Sequence, residues 1–113
     1  MYMTKYRSNM RCEVWLADFG KGQGSEQEGI RPCIIIQNNL ITEKSHTIVV
    51  LPTTKARKKL NSTQVTVNLK EVSQILCEQT TVIDKSRLIR YSGKLSAEEM
   101  MKVNKKLLFT LGL

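Results

Sequence analysis

An arginine, two threonines and a cluster of basic residues have the types and spacing to handle a phosphodiester. Arg31 stands before Pro32 at the end of a glycine-rich stretch, residues 24–32 (GSEQEGIRP). Pro52, Thr53 and Thr54 close an apolar run. Lys55, Arg57, Lys58 and Lys59 follow at once. A guanidinium can donate two parallel hydrogen bonds to phosphate oxygens, and a threonine hydroxyl can add a neutral donor to the same group. On spacing alone, the same residues also read as a surface ion pair, the end of a strand and a solvated basic loop.

Other chemistries lack their parts. His46 is the single histidine, so a nuclease using two histidines as acid and base cannot be built within one chain. A Ser-His-Asp triad would have only that one base, and no G-x-S-x-G turn precedes a helix. With two aspartates, no H-E-x-x-H and no paired cysteines, a metal site is not expected, nor is any cofactor. Residues 20–24 (GKGQG) are rich in glycine but lack the spacing and terminal G-K-[ST] of a phosphate loop.

The elements that would position Arg31 and the threonines are short. Residues 12–19 (CEVWLADF) alternate as a half-buried strand, and residues 20–29 read as a long flexible loop. Residues 31–37 (RPCIIIQ) form a β-branched strand, with Arg31 held extended by Pro32. After a polar connection, residues 47–51 (TIVVL) form a strand that Pro52 ends or edges. Residues 63–69 alternate, with Val65, Val67 and Leu69 facing one way. Residues 74–83 read as a fifth strand. Asp84 caps one helical turn before a short strand over residues 89–95. Ser96-Ala97-Glu98-Glu99 is a capping box. It opens a helix whose Met100, Val103, Leu107 and Leu111 share a stripe, ended by Gly112. Five or six strands and one terminal helix fit a small, partly open antiparallel barrel.

The chain has 113 residues, enough for one domain and too few for a two-domain cofactor enzyme. No apolar run reaches membrane-spanning length, so no membrane partner is expected. A net charge of +8 favours a polyanionic partner. Cys12, Cys33 and Cys77 are odd in number and far apart. They read as buried small hydrophobes in a reducing cytoplasm. Residues 1–10 have no apolar core of a signal peptide and read as a flexible arm ahead of a domain over residues 11–113.

Taken together, EVWLADFG…GSEQEGIRPCIIIQN, IVVLPTTK, LCEQTTVIDKSRL and LSAEEMMKVNKKL resemble the MazF/PemK/Kid toxins, the mRNA endoribonucleases of toxin–antitoxin pairs. The likeness spans about residues 11–111. It implies an SH3-like barrel with a C-terminal helix, of the CcdB/PemK kind, assembled as a homodimer. It implies metal-independent cleavage of single-stranded RNA at a short motif, and an antitoxin whose flexible acidic segment blocks the RNA groove. The family's catalytic arginine falls on Arg31 and its catalytic threonine on Thr54, with Thr53 as the alternative one residue out of register. Its substrate loop covers Ser25, Glu26, Gln27 and Gly29. Lys55, Arg57, Lys58 and Lys59 extend the RNA surface, and Glu78 and Gln79 match a pair that lies near the RNA in relatives. Cys12-Glu13 departs from the family's usual Gly-Asp. A rival reading is a non-enzymatic, gyrase-binding toxin on the CcdB barrel. That group relies on a C-terminal tryptophan, whereas the only tryptophan here is Trp15.

Overall fold

Seven short strands among the described residues pair into one antiparallel sheet. The computed structural model describes residues 9–21, 28–55 and 62–113. Residues 1–8 of the expected arm lie outside the described residues. The strands are β1 (Glu13–Asp18), β2 (Ile30–Ile35), β3 (Thr47–Lys55), β4 (Gln64–Asn68), β5 (Val72–Leu76), β6 (Thr81–Asp84) and β7 (Leu88–Lys94). A single helical turn, α1 (Asn39–Thr42), stands in the polar connection, and α2 (Ala97–Leu111) closes the chain. The sheet order is β4-β5-β3-β2-β1-β7, with β6 paired to β3. All pairings are antiparallel.

Two apolar clusters sit on opposite faces of the central strands. Val14, Ile34, Leu51, Val65 and Ile75 pack with Met100, Val103 and Leu107 of α2. Ala17, Cys33, Ile35, Ile48, Val50 and Ile83 form the other cluster. Strands β2 and β3 feed both, which is why they read as unbroken apolar runs and not as alternating ones.

Strand β3 runs straight through Pro52, where an end or an edge was expected. Its first half pairs with β6 over Thr47–Val50 and its last residues pair with β5 over Thr53–Lys55. The Ile36 N–H donates to the Val49 carbonyl at 3.1 Å. That phase makes residues 49, 51 and 53 the ones bonded to β2 and turns position 52 the other way. Proline, which has no N–H to give, therefore falls in the gap between the two partners on that side.

The expected single strand over residues 74–83 is broken for the same reason. A 3-10 turn at Cys77–Gln79 separates β5 from β6, so one stretch of chain serves both halves of β3. The Thr80 hydroxyl fastens the turn by donating to the Cys77 carbonyl at 2.7 Å. A second 3-10 turn, Lys85–Arg87, is capped by Asp84 as expected. The Ser86 backbone N–H holds that carboxyl below its ordinary pKa.

Helix α2 begins at the capping box: the Glu99 N–H donates to Ser96 Oγ at 3.0 Å, and the Ser96 N–H donates to Glu99 Oε1 at 2.9 Å. Gly112 ends it in the left-handed conformation that glycine tolerates, at φ 72°. Met100, Val103 and Leu107 are buried. Leu111 is 57% exposed, because the core cluster under α2 stops at Leu107. Ser96→Ala should cost about 0.5–2 kcal/mol, read as a lowered Tm. Cys12, at φ 80°, occupies backbone that favours the glycine usual in the resembled family. Glu13 beside it is buried and accepts from the Met10 N–H (3.1 Å) and Trp15 Nε1 (2.9 Å). Among the described residues, no helix is long and apolar enough to cross a membrane.

Candidate nucleic-acid cleavage site

The β1–β2 connection is pinned at its stem. The Phe19 N–H donates to the Gly29 carbonyl at 2.9 Å and the Gly29 N–H to the Gly20 carbonyl at 2.8 Å. Gly20 and Gly29 take positive φ values of 66° and 78°, which explains glycine at both positions. Arg31 lies just beyond, on β2, opposite Ala17 of β1. Its Nε and Nη2 donate to the Glu28 carbonyl at 3.0 and 2.8 Å, and its Nη1 donates to the Thr53 carbonyl at 3.1 Å. The guanidinium thus spans from the loop stem to β3 and is fixed in orientation before any ligand arrives.

The register Cys33↔Pro52, continued two residues, sets Arg31 across from Thr54. Arg31, Thr53, Thr54 and Lys55 line one cleft of ≈ 670 Å³. The two threonines differ sharply. Thr53 is 2% exposed, and its hydroxyl donates to the Pro32 carbonyl at 2.9 Å. Thr53 stands in the cleft with Arg31; its hydroxyl ties β2 to β3 and its carbonyl holds Arg31. Thr54 is half-buried and pairs across the ladder with Gln74.

Glu78 and Gln79 do not join Arg31. They line a second cleft of ≈ 470 Å³ with Phe19, Lys21, Pro52 and Arg87. Strand β3 separates the two clefts, with Pro52 at one and Thr53 at the other. The Glu78 carboxylate accepts from Thr63 Oγ1 at 2.9 Å and Gln64 Nε2 at 3.2 Å. The expected RNA contacts at Ser25, Glu26, Gln27, Arg57, Lys58 and Lys59 lie outside the described residues.

Lys70 and Arg90 also line the Arg31 cleft, and sequence reasoning missed both. Neither belongs to a run of basic residues in the sequence, and only the folded sheet brings them to the cleft of Arg31. Cys33 and Cys77 offer no nucleophile, and Cys12 lines neither cleft. Burial pushes Cys33 up to about 12 and Cys77 up to about 11, so both stay thiols near neutral pH. All three cysteines are free. Among the described residues, no three His, Cys, Asp or Glu side chains gather as a metal site.

The model of PemK-like, MazF-like toxins of type II toxin–antitoxin systems matches residues 10–111. A protein of Staphylococcus saprophyticus named endoribonuclease MazF is 39% identical over 109 residues, 91% of each chain. Two solved structures share the fold. One is MazF of Deinococcus radiodurans, at TM-score 0.80 and 22% identity over 91% of this chain and 96% of that one. The other is an endoribonuclease in complex with its cognate antitoxin from a Mycobacterial species, at TM-score 0.78 and 24% identity over 92% and 95%.

Proposed function

Because the chain belongs to the PemK-like, MazF-like toxins of type II toxin–antitoxin systems, we propose that it is an endoribonuclease that cuts single-stranded mRNA at a short motif without a metal ion. The observation that carries the reading is Arg31: its guanidinium is fixed by two backbone carbonyls on the wall of a cleft that Thr54 also lines.

RNA carries its own nucleophile, the 2′-OH. The cleft needs only to align that hydroxyl with the neighbouring phosphorus and the leaving 5′-oxygen. The 2′-oxygen forms a bond to phosphorus and the bond from phosphorus to the 5′-oxygen breaks. The proton lost by the first oxygen is regained by the second through solvent. Negative charge gathers on the phosphorane oxygens during the exchange. Arg31 stabilises it with N–H donors already in position. A guanidinium stays protonated at neutral pH, so Arg31 acts through its charge and not as a base.

Thr54 is the hydroxyl assigned to the same oxygens. Thr54→Val should lower kcat about 10²-fold, the scale of one lost donor, with Tm little changed. Thr53→Val should act first on stability, by about 0.5–1.5 kcal/mol, because it removes the hydroxyl's hydrogen bond to the Pro32 carbonyl. The reverse pattern, with activity lost in Thr53→Val and kept in Thr54→Val, would move the hydroxyl role to Thr53.

An antitoxin with a flexible acidic segment is the protein partner that suits a chain of net charge +8. The cytoplasm, where mRNA lies and free thiols persist, is the assigned compartment. A homodimer would cover the apolar side chains of Leu108, Phe109, Leu111 and Leu113, all exposed in the single chain. The direct test incubates purified protein with a long transcript: cuts at one recurring short motif are expected, and a transcript left intact overturns the reading.

A further inference from the structure

We propose that Lys70 and Arg90 position the RNA by holding backbone phosphates on either side of the one that meets Arg31, an assignment that rests on the RNA-cutting reading above. Lys70 lies in the turn between β4 and β5, at one end of the sheet order. Arg90 lies on β7, at the other end, opposite Leu16 of β1. Strands β4 and β7 do not pair, yet Lys70 and Arg90 line the same cleft. The sheet must therefore curl until its two ends face each other across that cleft. Arg31 of β2 and Lys55 of β3 stand on the wall between them. A strand lying along the cleft would pass from Arg90, over Arg31 and Lys55, to Lys70.

The charges are arranged for such a ligand. Among the lining residues four cations, Arg31, Lys55, Lys70 and Arg90, face one carboxylate, Glu71. The side chains of Lys55, Lys70 and Arg90 make no hydrogen bond or ion pair with any other described residue. Cations of one sign lining a concave surface focus their field and draw in a polyanion. An acidic peptide would feel the same field. RNA is favoured because the cations flank, within one cleft, the guanidinium assigned to its cleavage.

Lys70→Gln, Arg90→Gln and the double variant test this, with Lys102→Gln on the exposed face of α2 as the comparison. The probe is a single-stranded DNA of a cut sequence, which lacks the nucleophile, titrated at several salt concentrations. The slope of log Kd against log salt should fall by about 0.7 for each cation removed from the cleft, and stay unchanged in Lys102→Gln. On RNA, KM should rise several-fold while kcat and the cut position hold. A residue with only a structural role would lower Tm and leave the slope alone. An unchanged slope and KM in the double variant would overturn the proposal. So would weakened binding to a poly-glutamate peptide alone, which would give the surface to a protein partner. A parent protein that leaves RNA intact refutes the RNA-cutting reading itself, a result visible before any variant is compared.

Discussion

Replacing the single 2′-hydroxyl at the cut site by hydrogen should abolish cleavage while leaving binding nearly unchanged. The expectation follows from where the nucleophile resides. Neither buried cysteine ionises near neutral pH, with Cys33 at about 12 and Cys77 at about 11. The chain's one histidine, His46, is exposed and lines neither cleft. The attacking oxygen is therefore assigned to the substrate, and a strand without it has nothing to aim at phosphorus. Binding rests on phosphate contacts, which deoxyribose retains. Cleavage of the modified strand at the same bond would show that water or a protein group attacks instead.

Arg31→Ala carries the next largest effect. A preorganised donor to developing charge contributes about 10²–10³ in rate. Arg31 is such a donor, tied at 2.8 Å to the Glu28 carbonyl and at 3.1 Å to that of Thr53. The variant should lose at least that factor in kcat. It should still fold, since the side chain belongs to neither apolar cluster. Arg31→Lys should recover little, because an ammonium cannot span both carbonyls and also face a phosphate as a planar fork does. Near-parental kcat in a folded Arg31→Ala would remove the residue from the mechanism.

The sequence revealed the local features of this fold more readily than the long-range ones. Alternation marked β1 and β4. The capping box placed the start of α2 at Ser96, and Pro32 kept Arg31 extended at the mouth of β2. Features set by distant partners were hidden. Pro52 looks like a strand end unless β3 is known to change neighbours around it. The break at Cys77–Gln79 has no glycine or proline to announce it, and its need arises from β3 having two partners in turn. Leu111 keeps the helical spacing but stands beyond the reach of the core.

The site divides along the same line. Arg31 was visible because its type, its proline neighbour and the glycine-rich approach lie together in sequence. That Thr53 turns inward to Pro32 follows from the phase of the β2–β3 ladder, which spacing alone cannot fix. Glu78 and Gln79 carry suitable groups, yet the path of β3 puts them in a different cleft from Arg31. Lys70 and Arg90 gave no signal at all, because their meeting depends on how far the sheet curls.

The chemistry at the cut ends tests the central claim most directly. Purified protein, a long transcript and excess EDTA should yield fragments that begin with a 5′-hydroxyl and end in a 2′,3′-cyclic phosphate, the marks of attack by the neighbouring ribose oxygen. Fragments bearing 5′-phosphates, or cleavage that stops when EDTA is added, would contradict it.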